Sequence, residues 1–148
     1  MTDGFFRAGV GAVVRDARGL ILALRRKDTL DGAWQLPQGG VHFDEAPTAA
    51  LYRELYEEAG LAREAIRISA SVSEWLVYEV PIEYRNAKIG WGQAQRWYLC
   101  ELLQPLECVQ PDHMEFDAAD WVTGIWLLQH TAAFRVPLYQ RLLEEFGD

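Results

Sequence analysis

Apolar residues cluster along this chain in short runs separated by polar or glycine-rich stretches, which marks out strands first. Val10 to Val14, with glycines before and within it, reads as a strand, and Arg15 to Gly19 as the turn that ends it. Leu20 to Leu24 is a second apolar run, so a hairpin is expected. Lys27 to Ala33 is polar and loop-like, and Trp34 to Gly40 is a short extended piece closing on a glycine pair. From Pro47 to Ala59 the period becomes helical: proline suits the first turn, and Gly60 stands where a left-handed cap belongs. Beyond it, Ile66 to Val80 predicts one or two strands, Pro81 to Gly92 a loop, Gln95 to Leu102 a strand and Trp121–Val122 a short one. Helical pieces near Trp126 to Ala133 and Pro137 to Phe146 close the chain. With no internal repeat, low-complexity stretch or linker, residues 1–148 read as one α+β domain.

Composition narrows the partners. Half of the 148 residues are hydrophobic and 24% charged, the balance of a chain with a packed core. The net charge of −8 argues against broad electrostatic binding to nucleic acid or to anionic membrane. An anionic substrate must then be met by a few placed cations, or by metal ions. Two cysteines, Cys100 and Cys108, are too few for a disulfide framework and form no Cys-x-x-Cys pair. They read as reduced thiols, Cys100 lying in an apolar strand. The start lacks the basic head and apolar run of a signal peptide, and no window approaches the ~20 apolar residues of a membrane span. The expectation is a cytoplasmic protein with no membrane partner.

The chemistry gathers on the Pro47–Ala59 helix. Glu54, Glu57 and Glu58 stand at i, i+3 and i+4, so they share a face, while Thr48, Leu51, Tyr52, Leu55 and Ala59 fall on the arc expected to be buried. Three carboxylates so close repel one another unless a cation fills the gap. Mg²⁺ suits such a site, since it takes oxygen ligands, keeps several waters and shares a substrate's phosphates. An acidic helix face alone is usually just solvated; here the surroundings change the reading. Gly39, Glu45, Arg53, Glu54, Leu55, Glu57, Glu58, Gly60 and Leu61 spell Gly-x5-Glu-x7-Arg-Glu-Leu-x-Glu-Glu-x-Gly-Leu. This resembles the signature of the Nudix hydrolases at every defining position. Within it, Gly39 would allow an unusual backbone conformation and turn its carbonyl toward the metal. Arg53 would reach back to Glu45 as a forked donor, tying loop to helix. Gly60 would end the helix so that the carboxylates sit at the rim of a cleft.

The resemblance implies an α/β/α sandwich: a mixed sheet with the motif helix on one side and the C-terminal helices on the other. It implies hydrolysis of a nucleoside diphosphate linked to a further group, with Mg²⁺ or Mn²⁺ and water. Carried over by position, Glu57 and Glu58 would bind metal with the Gly39 carbonyl, and Glu54 would bind metal or hold the attacking water. The stretch Trp34-Gln35-Leu36-Pro37-Gln38-Gly39-Gly40-Val41 is similar to that of the branch holding bacterial RNA 5′-pyrophosphohydrolases and dinucleoside polyphosphate hydrolases. From that branch, Glu115 would be a further metal ligand or base, Arg7 and Arg26 phosphate contacts, and Phe134 a ring lying against a base. Gln38 and Tyr78 join these substrate contacts. Trp34 and Trp75 read as packing residues, and His42, His113 and His130 as incidental.

The chain also departs from the branch. Val77, Glu79, Ile82 and Glu83 stand where the RNA-acting members often carry cations, and Ala8-Gly9 follows Arg7 where they have Pro-Asn. Phosphate contacts give nucleic-acid binders their affinity, so this tilts the expectation toward free dinucleoside polyphosphates. RNA 5′-triphosphate ends are the close alternative, and a non-catalytic nucleotide-binding module a distant one. Between Val41 and Glu64, six acidic residues face two basic ones, so half of the net charge lies around the proposed metal site, where bound cations would offset it.

Overall fold

The computed structural model describes residues 4–29, 33–105 and 108–147. Eight strands form one mixed sheet. Its spine is a parallel pair, β1 (Phe6–Arg15) and β7 (Gly92–Leu102), in register from Phe6 opposite Gly92 to Arg15 opposite Glu101. A parallel pair needs a crossover, and every element between β1 and β7 belongs to it. The expected hairpin exists only at its tip. The Asp16 carboxylate accepts from the backbone N–H groups of Arg18 and Leu20, Gly19 turns with φ 83°, and β2 (Ile21–Arg26) meets β1 only where Ile21 faces Arg15. After that β2 pairs with β3 (Trp34–Gln35) and β8 (Phe116–Val122), while Gly9 to Gly11 of β1 pair with β4 (Gln38–Gly40).

The run from Ile66 to Val80 resolves into two strands, β5 (Ile66–Ser71) and β6 (Leu76–Glu79), each antiparallel to a different end of β7. The other differences from the sequence reading are of extent. β7 starts at Gly92 rather than Gln95. β8 starts at Phe116 rather than Trp121, because Asp117 and Asp120 make the segment read as polar. Its place beside β2 is helped by an ion pair of Arg25 with Asp117 at 2.7 Å, a contact between residues 92 apart. Ile82 to Tyr84 form a 3-10 turn inside the expected loop. Of the loop expected at 27–33, residues 30–32 lie outside the described residues.

Side chains alternate across a strand, and here the alternation divides the core in two. Val10, Ala12, Val14, Leu22 and Leu24 pack with Leu51, Leu55 and Ala59 of α1 (Pro47–Ala59). Val13, Ile21, Ala23, Trp97 and Leu99 face the other way, onto Leu127 of α2 (Gly124–His130) and Leu138, Tyr139 and Leu142 of α3 (Val136–Glu145). The result is the α/β/α sandwich, with α1 on one side of the sheet and the C-terminal helices on the other. Cys100 is fully buried in the α1-side core, and burial pushes its thiol up to about 12. Trp34 packs edge-on to Trp126, but Trp75 is not a packing residue: it is 44% exposed, with the Arg96 guanidinium 5.7 Å over its ring. Among the described residues, no helix is long and apolar enough to cross a membrane.

Candidate active site

The site forms where β4 runs against the middle of α1. Pro47 opens the helix, and Gly60 closes it in the left-handed region (φ 69°), its N–H bonded to the Tyr56 carbonyl. The buried arc differs from the expected one. Ala50, Leu51, Leu55 and Ala59 are buried as an apolar face should be, but Thr48 is exposed and Glu58 is buried. The three glutamates therefore occupy three environments: Glu58 is 5% exposed, Glu54 half-buried, and Glu57 open to solvent.

Burial sets their acidities. The Glu58 carboxyl is held well above the usual carboxylate range, first by loss of water and then by the charge of Glu54. One bond offsets this: the backbone N–H of Gln38 donates to Glu58 Oε1 at 3.0 Å. Burial raises Glu54 as well. Glu115 adds to the unfavourable field at both, which places its charge near them although it lies on a different loop. That loop is shaped by Asp112, whose Oδ1 accepts from the N–H groups of Met114, Glu115 and Phe116. Asp112 was not singled out by motif reading; an aspartate just ahead of the site glutamate was its only signal.

Arg53 ties the parts together. Its Nε and Nη2 donate to the two oxygens of Glu45 at 2.8 and 2.9 Å, and Nη2 also donates to the Gly40 carbonyl at 2.7 Å. The reach back to Glu45 is as expected from the spacing, and Arg53 does more: Nη1 bonds Glu54 at 2.8 Å and approaches Glu57 at 3.4 Å. The guanidinium therefore sits as the cation among the carboxylates, and it holds Glu45 down at about 2. An acid so depressed stabilises the fold fully above its unfolded value near 4.5 and loses that contribution as pH falls toward 2. Arg53→Lys removes the fork, because one ammonium cannot serve Glu45, Glu54 and Gly40 together. This variant is expected to lose about tenfold in kcat/KM. Its thermal unfolding between pH 3 and 6 should be shifted below the wild type throughout, which scanning fluorimetry would register.

Gly39 corrects an expectation. It lies in a regular strand opposite Val10, and its φ is not positive, so backbone freedom is not its reason. Its reason is proximity: a Cβ there would run into the Glu54 carboxylate. Gly9 has a related role that sequence reading passed over as a departure, since a Cβ on it would stand 2.7 Å from the Gly39 carbonyl oxygen.

A cavity of about 1170 Å³ opens from these groups, and the expected residues line it together. Arg7, Arg26, Gln38, Gly39, Arg53, Glu54, Glu57, Glu58, Tyr78, Glu115 and Phe134 all reach its wall, while Glu45 and Gly60 stay behind it as supports. Arg7 lies over Gly40 with no ion pair among the described residues. Arg26 is held by Asp28 at 3.2 Å and stands 3.8 Å from Glu115. Also on its wall, Tyr78 stacks on Phe134 (ring centroids 6.1 Å apart, planes at 26°), and Tyr84 leans on the same ring. Sequence reading missed three cations here. Arg85, Lys88 and Arg135 also line the cavity, and Arg135 packs its guanidinium 4.6 Å over Phe134.

An α/β/α sandwich with an acidic helix beside a cation-lined cavity defines a class of phosphate-transforming hydrolases, and comparison with known proteins agrees. The NUDIX domain family matches residues 5–142. An RNA pyrophosphohydrolase of Photorhabdus laumondii is 37% identical over 152 residues, 99% of this chain and 85% of its own. One from Proteus mirabilis is 35% identical over 98% of this chain and 85% of its own. Among solved structures, an Escherichia coli dihydroneopterin triphosphate pyrophosphohydrolase superposes with a TM-score of 0.75 at 17% identity, over 95% of this chain and 98% of that one. A Caenorhabditis elegans Ap4A hydrolase gives 0.70 at 20% identity, over 97% and 100%. The chain belongs to the Nudix family. It is a Nudix hydrolase acting on pyrophosphate bonds of nucleoside polyphosphates, and members of this family generally need divalent cations.

Proposed function

We propose that this enzyme removes pyrophosphate from the 5′ end of triphosphorylated RNA, with Mg²⁺ as its metal and Mn²⁺ as a substitute. The observation that carries this reading is the layout of the cavity. Carboxylates, a stacked Tyr78–Phe134 pair and the cations Arg7, Arg26, Lys88 and Arg135 all line the same space. The acidic stretch at 77–84 argues against RNA, and Glu83 lines the cavity, but Arg85 neutralises Glu79 at 3.1 Å and Lys88 and Arg135 bring further positive charge to the same wall. The 37% and 35% identical relatives, both RNA pyrophosphohydrolases, support the same assignment. We place the protein in the cytoplasm and read residues 1–148 as one domain.

The donor set fits a hard divalent cation. Among the described residues no three carboxylate, His or Cys side chains converge into a ready-made cage. Mg²⁺ does not need one, because it is commonly held by one or two carboxylates together with waters and substrate phosphates. Glu57 and Glu58 are its first ligands in this reading, with the Gly39 carbonyl, Glu54 and Glu115 beside them. A buried carboxylate such as Glu58, with one backbone donor to offset its charge, is chemically completed by such a cation. When bound, the ion neutralises phosphate oxygens and lowers the pKa of coordinated water. In this reading Glu54 holds the attacking water or takes its proton, with Glu115 as the other candidate base. Arg7 and Arg26 hold phosphate oxygens, and Phe134 with Tyr78 receives a base.

The test compares a short 5′-triphosphorylated RNA, diadenosine tetraphosphate and a nucleoside triphosphate under one Mg²⁺ condition. RNA is expected to lead in kcat/KM by about tenfold or more. A dinucleotide lead of the same size would overturn this reading. The second reading, free dinucleoside polyphosphates, rests on Val77 and Ile82, which stay exposed at 58% and 77% with no cation in their place.

A further inference from the structure

Four side chains connect the sheet core to the Tyr78 hydroxyl on the cavity wall. The Trp97 indole Nε1, fully buried, donates to Gln95 Oε1 at 3.0 Å. Gln95 Nε2 donates to Gln38 Oε1 at 3.3 Å, and Gln38 Nε2 donates to the Tyr78 hydroxyl at 3.4 Å. The direction of this chain follows from chemistry. An indole N–H only donates, so the Gln95 oxygen must face Trp97 and its amino group must face Gln38. That in turn presents the Gln38 oxygen to Gln95 and its amino group to Tyr78. The Tyr78 hydroxyl, already accepting, keeps its own hydrogen for an acceptor in the cavity. Gln95 itself is 1% exposed, so its two bonds are shielded from bulk water although the residue borders the cavity.

We propose that Gln95 is a positioning residue for substrate binding: clamped by Trp97, it sets the Gln38 amide so that the Tyr78 hydroxyl donates to an acceptor oxygen of the bound nucleotide. This rests on the assignment of Tyr78 to the substrate contacts made above. Without the Gln95 donor, the Gln38 amide is free to reverse. Its oxygen would then face Tyr78, whose hydrogen would turn inward and be lost to the ligand. The same Gln38 donates through its backbone to Glu58, but that bond does not depend on the side-chain amide. The effect is therefore on binding and not on the chemical step.

The experiment is a double-mutant cycle with a 5′-triphosphorylated RNA oligonucleotide and Mg²⁺, following KM and kcat separately. Gln95→Met keeps the length but abolishes both bonds. It is expected to raise KM about tenfold with kcat within about twofold, and Tyr78→Phe to do the same. In the Tyr78→Phe background, Gln95→Met should add less than about twofold, because the hydroxyl it serves is gone. A KM penalty that multiplies equally in both backgrounds, or a fall in kcat alone, would overturn the relay. If Gln95→Met does not unfold cooperatively, Gln95→Leu replaces it: it is smaller, and it too removes both bonds. Unchanged KM in Tyr78→Phe overturns the substrate role of Tyr78 itself. Raised KM there with no change in the Gln95 variants overturns only the relay.

Discussion

Glu58→Gln is expected to abolish hydrolysis while raising the thermal stability of the metal-free protein. The two effects have one origin. Glu58 is buried beside a second carboxylate, so its folded-state acidity is weakened. Ionising a group whose folded pKa is raised opposes folding. Its cost is absent at low pH and grows as pH rises past the unfolded value near 4.5. Glutamine has the same shape, keeps an oxygen for the Gln38 N–H and carries no charge, so that cost disappears. At pH 7.5 with chelator, scanning calorimetry should find the variant melting above the wild type, by about 2 °C or more. Activity moves the other way, because a neutral amide is a poor ligand for a divalent cation. A fall of at least about a thousandfold in kcat, about 4 kcal/mol of transition-state stabilisation, is expected. Glu57→Gln should match the loss of activity but not the gain in stability, since Glu57 is already exposed to water. Undiminished turnover in either variant would remove the proposed metal site.

Gly39→Ala should separate fold from function in a different way. The added methyl meets the end of a flexible side chain, the Glu54 carboxylate, and not backbone. Glu54 can swing aside at small cost to the fold, so the melting temperature should change by no more than a few degrees. What is lost is the placement of Glu54 against β4 and its 2.8 Å bond to Arg53. A displacement of about 1 Å at a group that holds the attacking water is expected to cost about a hundredfold in kcat. Gly40→Ala is the natural contrast, because there the methyl meets the Arg7 guanidinium. It should act on KM through lost phosphate binding. Steady-state kinetics beside a thermal melt decide both. A Gly39→Ala protein with wild-type kcat would show that Glu54 need not lie against the glycine.

The legible parts of this protein are those in which neighbours in sequence are also partners in space. The helix carrying Arg53, Glu54, Glu57 and Glu58 shows its start at Pro47, its end at Gly60 and its acidic face through i, i+3 and i+4 spacing, all of which are local. The Glu45–Arg53 tie crosses only eight residues, and a forked donor facing a carboxylate is readable at that distance. Apolar runs at Val10–Val14 and Leu20–Leu24 marked strands for the same reason. Resemblance in the flanks then brought Arg7, Arg26, Glu115 and Phe134 into one list, though nothing in the residues themselves placed them together.

What the tertiary structure alone decided lies in contacts between distant segments. The partner of β1 is β7, more than eighty residues on, so the hairpin suggested by local pattern gives way after one pair. Glu58 looks like one of three solvated glutamates until β4 covers it, and only then does its acidity shift. Gly39 is needed for a neighbour fifteen positions away, not for its own backbone angles. The charge of −8, which by itself argues against a polyanionic substrate, is redistributed by the fold. Carboxylates collect on α1, while Arg7, Arg85, Lys88 and Arg135 converge on the same cavity from separate strands and loops. Sequence determines what each residue can do chemically and which neighbours along the chain it can join. Burial and long-range approach, which set acidity, free charge and the direction of the Trp97–Gln95–Gln38–Tyr78 chain, exist only once the sheet has closed.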